Sequence, residues 1–419
     1  MTSPRSLVVL GGGVIGLATA FHAARRGLRV TLLERLGPDR DGCSFGNAGM
    51  VCPSHFVPLA APGAVVQAIR WMANPKSPFY LKPRLDLDLL AWACRFWRSA
   101  NAAHVRRAAP LLRDLALASR EDFASIASLP GSDFGLVRQG LLMLCRTRHA
   151  LDDESRLAEQ ARRLGLEAEV LTPGGVAALE PDLTLDIVGG VHFPQDCHLV
   201  PDRFLAALHH HAVQAGAQFV WNSEVTGWRT EGGRIVAART AQDEWPADTF
   251  VLCGGSWSPR LAQPLGLRLP IQAGKGYSLT LPHPRQLPRH CAILTEARIA
   301  VTPMSGALRF GGTMEIAGLD ESINPLRVQG ILDAIPNYLP AFQPQDFHGI
   351  PPWRGLRPVS PDGLPYLGRS RRWPNLIVAT GHAMLGLSLA PVTGQIVARL
   401  ATGEPPGFDL TPVDPDRFA

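Results

Sequence analysis

Residues 7–34 constrain the fold of this chain more than any other segment. The apolar run at residues 7–10 is followed by the turn GGGVIG at residues 11–16, a helical stretch, the apolar run at residues 28–33 and the acidic residue Glu34. The pattern G-x-G-x-x-G alone is a weak signal, but its place between a strand and a helix, with an acid after the second strand, makes it a strong one. This order predicts a β-α-β unit that binds a dinucleotide, without distinguishing FAD from NAD.

Each glycine of the turn has a separate expected role. Gly11 permits the tight turn, Gly13 lets the backbone approach a pyrophosphate, and Gly16 lets the helix pack closely on the strand. Free N–H groups at the start of the helix face the phosphates, and Glu34 accepts hydrogen bonds from a ribose diol. The alternative is a β-α-β unit without a ligand, but glycines weaken a fold that they do not serve. The residues assigned to this part of the cofactor site are Gly11, Gly13, Val14, Ile15, Gly16, Glu34 and Arg35.

The composition is that of a globular protein without a nucleic-acid-binding surface. With 419 residues the chain is long enough for two domains, and 46% of its residues are apolar. The net charge of +5 comes from scattered Lys and Arg residues, which argues against nucleic acid as a partner. The seven cysteines form no C-x-x-C pair, which argues against a disulfide framework and against a metal site.

The N-terminal sequence predicts a protein that is not exported. Residues 1–5 lead directly into the first apolar run and have no features of a signal peptide. No apolar run reaches the length of a membrane span. We therefore expect a cytoplasmic protein in a reducing compartment.

Along the rest of the chain, the pattern alternates between two kinds of domain. Short β-runs at residues 271–320 predict an antiparallel sheet, whereas residues 249–255 look like a sheet strand that reaches the cofactor. We predict an α/β fold, with a discontinuous Rossmann-like nucleotide-binding domain and a second, α+β substrate domain that carries an antiparallel sheet. The first domain is assigned residues 1–60, 170–265 and 345–419, and the second residues 61–169 and 266–344.

Three further segments carry a family resemblance. They are SFGNAG at residues 44–49, WRGLRPVSPDGLP at residues 353–365 and GHAMLG at residues 381–386. Together with residues 7–34 they resemble the D-amino acid oxidase superfamily of FAD-dependent oxidoreductases, over nearly the whole chain. Within it the chain is most similar to the small subunit of bacterial D-amino acid dehydrogenase, to which residues 274–278 and 299–303 are fairly specific.

The resemblance implies FAD rather than NAD as the cofactor. Residues 355–365 contain no cysteine, whereas sarcosine oxidases attach flavin covalently in that stretch, so we expect non-covalent FAD. The implied reaction moves a hydride from the carbon that bears the amine to flavin N5. The resulting imine hydrolyses to a 2-oxo acid, or is a cyclic imine when the substrate is D-proline or cis-4-hydroxy-D-proline.

The electron acceptor and the substrate are left open. The resemblance favours a quinone or another respiratory carrier as the acceptor. However, residues 387–394 look more like those of glycine oxidases, so the main alternative is a glycine- or sarcosine-type amine oxidase that uses O₂. Two further alternatives are an NAD-dependent enzyme and a flavin-bearing subunit of a larger complex.

Three residues are the candidates for handling the substrate. Arg357 occupies the Gly-Leu-Arg-Pro position that binds the substrate carboxylate in the superfamily, and a guanidinium matches a carboxylate with two parallel hydrogen bonds. Tyr277 is expected to bind the carboxylate or cover the substrate, and His382 to approach the flavin ring. The alternatives are a salt bridge for Arg357, a packed side chain for Tyr277 and a structural role for His382. Weaker candidates are Arg354, for which a structural role is favoured, and His55 and Tyr366.

Other residues are expected at the cofactor because of the resemblance. The turn at residues 386–388 would bring backbone N–H groups to the pyrimidine edge of the flavin. Ser44 and Asn47 would contact phosphate or flavin, with a plain Asx turn as the alternative, and the Val225 backbone would meet the adenine. The set is Ser44, Asn47, Ala48, Gly49, Val225, Gly254, Gly381, Leu385, Gly386, Leu387 and Ser388.

Residues 86–98 form a predicted helix with both aromatic and basic side chains. These are Trp92, Phe96, Trp97, Arg95 and Arg98. Such a helix can dock on a membrane surface, and the alternative is a helix that packs on the core. The resemblance favours peripheral contact with the inner face of the bacterial membrane, and the oligomeric state is left open.

Overall fold

The computed structural model describes residues 5–72 and 74–419, so the sequence expectation for residues 1–4 lies outside the described residues. The described residues form twenty β-strands: β1 (Ser6–Leu10), β2 (Arg29–Leu33), β3 (Met50–Val51), β4 (Phe79–Leu81), β5 (Leu141–Cys145), β6 (Glu169–Leu171), β7 (Gly189–Phe193), β8 (Cys197–His198), β9 (Gln218–Val220), β10 (Gly227–Glu231), β11 (Arg234–Arg239), β12 (Glu244–Pro246), β13 (Thr249–Leu252), β14 (Gln272–Leu281), β15 (Cys291–Leu294), β16 (Ile299–Met304), β17 (Ala307–Ile316), β18 (Trp353–Val359), β19 (Tyr366–Arg369) and β20 (Leu376–Thr380). The same residues form ten α-helices: α1 (Val14–Arg25), α2 (Ala64–Met72), α3 (Leu87–Ser99), α4 (Ala102–Ala127), α5 (Arg148–Arg163), α6 (Pro173–Leu179), α7 (Pro201–Gln214), α8 (Ser258–Ala262), α9 (Pro325–Ala334) and α10 (Ala390–Thr402).

A six-stranded sheet contains the β-α-β unit predicted from residues 7–34. Its strand order is β19-β20-β13-β1-β2-β9, and every neighbouring pair is parallel except β19 and β20. Strands β1 and β2 pair in register from Ser6 opposite Arg29 to Leu10 opposite Leu33, so both end at the same edge. Helix α1 connects them and packs against α7 and α10. The Rossmann-like prediction is confirmed.

The six-stranded sheet is buried on both faces, which explains why its strands are continuous apolar runs. Leu7 and Val9 of β1 belong to the core under α1, whereas Val8 and Leu10 belong to the core on the other face. All four side chains are at most 3% exposed. A parallel sheet that is covered on both faces needs apolar residues at every position rather than at alternate ones.

The second large sheet has nine strands and is mostly antiparallel, as predicted. Its order is β18-β14-β17-β16-β15-β5-β7-β6, and β4 pairs with β17. Only two of its pairs are parallel, β5 with β15 and β4 with β17. Two smaller antiparallel sheets accompany it in the described residues, β10-β11-β12 and β3-β8.

The nine-stranded sheet crosses the predicted domain boundaries. Strands β7 and β18 lie within ranges assigned to the nucleotide-binding domain, but their hydrogen bonds join them to the nine-stranded sheet. Strand β18 pairs with β14 along seven residues, from Ser278 opposite Trp353 to Gln272 opposite Val359. Residues 360–365 then lead back to β19 of the six-stranded sheet. The two-domain division remains a prediction. Strands β7 and β18 belong to the nine-stranded sheet, although the predicted ranges assign them to the nucleotide-binding domain.

Candidate active site

A cavity of about 420 Å³ lies at the carboxyl edge of the six-stranded sheet. Leu10 and Leu33 at the ends of β1 and β2 line it, as do Cys253 after β13 and Ala379 in β20. Its other side is lined by residues 354–358 of β18. Ligands of open α/β sheets bind at this edge, because loops with free backbone groups follow the strands there.

Most of the predicted site residues meet in this cavity. Those that line it are Gly11, Gly13, Val14, Ile15, Glu34, Arg35, Ser44, Asn47, Val225, Gly254, Arg357, His382, Gly386 and Leu387. Those that do not line it are Gly16, Ala48, Gly49, Tyr277, Gly381, Leu385 and Ser388.

The structure shows a different reason for glycine at each of the three motif positions. Gly11 has φ +109°, and a Cβ there would lie 2.6 Å from the carbonyl oxygen of Cys253. A Cβ on Gly16 would lie 1.9 Å from the carbonyl oxygen of Gly11, so this residue serves the contact between helix and strand. Gly13 differs, because the nearest atom to its Cβ would be Ser44 Oγ at 3.6 Å. The space beside Gly13 is therefore open, as the approach of a pyrophosphate requires.

The N-terminus of α1 can hold an anion. Its first turn has no acidic residue, and Gly13 at the N-cap offers no side-chain oxygen. The backbone N–H of Val14 donates to Ser44 Oγ at 3.1 Å, so the Ser44 hydroxyl lies at the start of α1. Backbone N–H groups and the helix dipole favour a phosphate at this position.

Glu34 is held in place by backbone N–H groups. Its Oε2 accepts from Gly12 N at 2.6 Å and its Oε1 from Leu36 N at 3.0 Å. Arg40, which the sequence analysis missed, donates through Nε and Nη2 to the Gly12 carbonyl oxygen at 3.1 and 2.8 Å. Its guanidinium lies 4.4 Å from the ring centre of Trp221. Arg40 thus braces the turn that Glu34 also holds.

Two further cations line the cavity beside Arg40. The guanidinium of Arg35 lies 3.8 Å from the ring centre of Trp257, and Arg260 lies in the neighbouring helix α8. Positive charge and free backbone N–H groups match the pyrophosphate of a dinucleotide. The cavity therefore fits FAD on its own chemistry. Arg40, Trp257 and Arg260 do not belong to a motif of fixed spacing. The sequence could have indicated them only through their positions shortly after strands β2 and β13.

The loop at residues 44–49 is tied to the nine-stranded sheet. Asn47 Oδ1 accepts from Gly49 N at 2.8 Å, which is the Asx turn named as the alternative, although Asn47 also lines the cavity. Arg309 of β17 donates to the Asn47 carbonyl oxygen at 2.7 Å. A Cβ on Gly49 would lie 2.3 Å from Leu199 O. Ala48 and Gly49 therefore support the loop and do not line the cavity.

The residues of the C-terminal turn, 381–388, also divide into some that line the cavity and others that support the turn. Gly386 and Leu387 line the cavity. Ser388 Oγ instead donates to Met50 O at 2.9 Å and accepts from Cys52 N at 3.3 Å, so it fastens the turn to β3. Leu385 packs against the core under α1. Gly381 has φ +77°, and its Cβ would lie 2.7 Å from the ring of Tyr366.

Backbone atoms of neighbouring strands hold the Arg357 side chain in position. Its Nη1 donates to the Thr313 carbonyl oxygen at 2.9 Å. A Cβ on Gly276 of β14 would lie 2.1 Å from Nη1, so the guanidinium lies directly against the Gly276 backbone. Thr313 has φ +62° at the irregularity where the register of β14 and β17 shifts. Burial lowers the pKa of Arg357 below its usual value, against the opposing effect of the Cys43 thiol, but a guanidinium stays charged.

The Arg357 guanidinium has no acidic partner among the described residues, unlike Arg354. Arg354 lies 2.6 Å from Asp41 Oδ2 and 3.8 Å from Glu321 Oε1. These two carboxylates already pair with its charge. Of the two arginines, only Arg357 has a charge left for a carboxylate ligand.

The contacts of Tyr277 match the packed side chain that was the alternative for this residue. Neighbouring residues of a strand point to opposite faces, and Gly276 occupies the face that carries Arg357. The Tyr277 hydroxyl donates to Glu315 Oε2 at 2.8 Å and accepts from Asn324 N at 3.2 Å. Burial raises the pKa of Tyr277. Tyr277 is thus a packed, hydrogen-bonded residue that does not reach the cavity.

His382 lines the cavity as a neutral residue. Its Nε2 lies 3.1 Å from Thr393 Oγ1 in α10, and its side chain is buried. Burial lowers the pKa of His382 to about 3, so the ring carries no charge near neutral pH. Tyr366 lies outside the cavity, where its hydroxyl donates to Pro270 O at 3.0 Å.

His55 also lies outside the cavity lining, in a polar cluster that the sequence spacing did not indicate. Ligand-type atoms of Cys52, His55 and Asp196 lie within 4.8 Å of one another. Both carboxylate oxygens of Asp196 accept hydrogen bonds from Ser54. Burial raises the pKa of Asp196 to about 7, although those bonds oppose the shift. The internal hydrogen bonds account for this cluster.

Comparisons with known proteins agree with this geometry. The sequence profile of the DAO family, described as FAD dependent oxidoreductase, matches residues 6–400. A D-amino acid dehydrogenase of Granulibacter bethesdensis is 32% identical over 422 residues, which cover 99% of each chain. One from Xanthobacter autotrophicus is 34% identical over 419 residues, also 99% of each chain. The crystal structure of glycine oxidase from Geobacillus kaustophilus is 26% identical, with a TM-score of 0.79 over 100% of both chains.

Proposed function

This chain belongs to the DAO family of FAD-dependent oxidoreductases, and from that premise we propose that it is a dehydrogenase of D-amino acids. Its full-length relatives with about a third of residues identical are named D-amino acid dehydrogenases. The observation that carries the proposal is the guanidinium of Arg357, which lines the cofactor cavity with a backbone carbonyl as its hydrogen-bond partner. A carboxylate is the ligand that such a group binds best.

Arg357 orients the substrate in this proposal. FAD, when bound, supplies the hydride acceptor. Arg357 holds the substrate carboxylate through two parallel hydrogen bonds, which fixes the face of Cα that meets the cofactor. The Thr313 carbonyl and the Gly276 backbone keep the guanidinium in position. His382 is neutral near pH 7 because burial lowers its pKa, so it adds no positive charge to the cavity.

The proposed substrates include D-proline and cis-4-hydroxy-D-proline, with a quinone or another carrier as the electron acceptor. A second candidate is a glycine- or sarcosine-type oxidase that reduces O₂. It is favoured by residues 387–394 and by the likeness to glycine oxidase from Geobacillus kaustophilus. Both candidates use the same carboxylate contact, so they differ in the substrate side chain and in the acceptor.

An anaerobic substrate panel tests the proposal. We expect D-amino acids, including D-proline and cis-4-hydroxy-D-proline, to bleach the flavin absorbance of the purified protein, and their L-enantiomers to leave it unchanged. In air, a dye or quinone acceptor should raise turnover while little peroxide forms. Bleaching by glycine or sarcosine alone, with one peroxide formed per turnover in air, would support the oxidase instead. A protein that binds no flavin would contradict both.

We propose further that the protein docks on an anionic bilayer through α2 and α3. No helix in residues 5–72 and 74–419 is long and apolar enough to cross a membrane. Trp92 and Phe96 of α3 stack on each other, and Trp92 Nε1 donates to Val359 O, as expected of a core-packing face. The opposite face carries four exposed residues at helical spacing: Leu87, Leu90, Cys94 and Trp97.

Helix α2 also carries exposed apolar side chains. None of its residues is buried, and Val66 and Ile69 are 55% and 64% exposed. Arg70 and Arg98 add exposed positive charge beside the apolar side chains. An amphipathic surface with basic neighbours is the kind that binds an anionic lipid surface, where a quinone would also be found.

A flotation assay with phosphatidylglycerol vesicles checks this surface. The variant Leu90→Ser/Trp97→Ser is expected to lower vesicle binding by about tenfold or more, since each of these side chains loses favourable burial in lipid. The matched control Val170→Ser/Val213→Ser removes exposed apolar side chains elsewhere and should bind like the wild type. Equal binding by all three proteins would contradict the docking surface without affecting the proposed chemistry.

A further inference from the structure

A second cavity, of about 690 Å³, lies at the opposite edge of the six-stranded sheet. Ser6, Arg29 and Thr249 line it, and they are the first residues of β1, β2 and β13. The cofactor cavity lies at the other ends of these same strands. Five residues of extended chain span about 16 Å, so the two cavities are separate sites on one sheet.

Four arginines line this second cavity, which we call the arginine pocket. They are Arg5, Arg29, Arg234 and Arg369. Its one carboxylate is that of Asp248, whose Oδ2 accepts from the backbone N and the Oγ of Ser6 at 2.7 and 2.8 Å. The lining therefore carries a formal charge of about +3, in a protein whose net charge is only +5.

Asp248 interacts with two of the four arginines at a distance. Hydrogen bonds from Ser6 lower the pKa of Asp248, and the charges of Arg29 and Arg5 lower it further. None of the four forms an ion pair with a carboxylate in the described part of the chain. Residues 1–4 have the sequence MTSP and contain no acidic side chain that could supply one. Burial lowers the pKa of Arg369, and the charges of Arg5 and Arg234 lower it further. Like charges are thus held close together.

Two of the arginines are fixed and two are free to bind. Arg369 donates to the carbonyl oxygens of Pro374 and Leu400, and Arg5 to that of Thr402. Arg29 and Arg234 are exposed, and their side chains make no hydrogen bond to any described residue. A fixed pair beside a free pair can bind one extended anion at several points.

We propose that the arginine pocket binds a phosphate-bearing polyanion. A single carboxylate would engage only one guanidinium, whereas a chain of phosphates offers several oxygens in the geometry that guanidinium groups match with paired hydrogen bonds. The phosphates come either from a soluble oligophosphate compound or from the headgroups of an anionic bilayer. Because the pocket is at the far edge of the sheet, the ligand does not compete with FAD or with the amino acid.

Titration of the flavin-loaded protein with inorganic tripolyphosphate, followed by calorimetry, tests the soluble source. We expect saturable binding that weakens as salt is raised. The variant Arg29→Gln/Arg234→Gln should raise Kd by about tenfold or more, because it removes several charge-assisted hydrogen bonds. Its flavin content and its turnover of D-amino acids should equal those of the wild type, which shows that the variant is folded.

A variant with the same change in net charge distinguishes a specific binding site from general charge attraction. Arg156→Gln/Arg163→Gln removes two exposed arginines from α5 and changes the net charge by the same amount. It should bind tripolyphosphate like the wild type. Flotation of all three proteins with phosphatidylglycerol vesicles tests the bilayer source. Loss of vesicle binding in Arg29→Gln/Arg234→Gln alone, without tripolyphosphate binding in the wild type, assigns the pocket to lipid headgroups. If neither probe distinguishes the pocket variant from the α5 variant, the proposal is wrong.

Discussion

Replacing Arg357 with alanine is expected to lower kcat/KM for D-amino acids by about 100- to 1000-fold, which corresponds to ~3–4 kcal/mol of lost transition-state stabilisation. The guanidinium lies in the cofactor cavity, is charged, and has the Thr313 carbonyl oxygen as its protein partner. Its removal leaves the substrate carboxylate without a counter-charge and leaves Cα free to rotate. The flavin should remain bound, because Glu34 and the start of α1, which hold the dinucleotide in this account, are unchanged.

Two control variants make this prediction specific to the carboxylate contact. Arg357→Lys keeps the charge but loses the planar pair of donors, so we expect a loss of about tenfold. Arg354→Gln removes a neighbouring arginine whose charge is already paired with Asp41 and Glu321, so we expect less than about fivefold. Anaerobic rapid mixing should show slower flavin reduction at every substrate concentration for Arg357→Ala. Similar losses for Arg354→Gln and Arg357→Ala would mean that general positive charge, and not Arg357, binds the substrate.

The difference between these two arginines marks a limit of sequence analysis. Both belong to the segment at residues 353–365, and their spacing along β18 places them on opposite faces of the strand without showing which groups each face meets. Only the fold brings Asp41 and Glu321 to Arg354 and leaves Arg357 against Gly276. The family motif led to Arg357, but the absence of an acidic partner among the described residues is a three-dimensional fact.

Local patterns predicted the Rossmann-like unit because its determinants are contiguous. The turn and the helix that join the two strands at residues 7–33 are each specified by near neighbours, and the structure confirms this strand–turn–helix–strand order. For Tyr277, local patterns could not choose between the substrate role and the packed alternative. Which face of β14 it occupies depends on pairing with β17 and β18, which lie more than thirty residues away. Strand β18 similarly joins the nine-stranded sheet through partners that no local pattern indicates.

Gly13 and Gly16 are expected to fail in different ways when each is replaced with alanine. A Cβ on Gly16 would lie 1.9 Å from the Gly11 carbonyl oxygen, so α1 must move away from β1. We expect Gly16→Ala to lower the free energy of unfolding by about 3 kcal/mol or more, with or without flavin. A Cβ on Gly13 would meet only Ser44 Oγ at 3.6 Å, which is ordinary contact. Gly13→Ala should therefore leave the stability of the flavin-free protein unchanged.

The role of Gly13 should appear in the affinity of the protein for FAD. If the pyrophosphate approaches the backbone there, the added methyl group occupies its position, and the FAD dissociation constant should rise by about 100-fold. Fluorescence titration of the flavin-free variants with FAD measures this, and denaturant unfolding of the same samples measures stability. Gly227→Ala is a suitable control, because its Cβ would meet no atom within 4 Å and it lies outside the cavity. Unchanged FAD affinity in Gly13→Ala would contradict the proposed position of the pyrophosphate, whereas a stable Gly16→Ala protein would contradict the packing of α1 on β1.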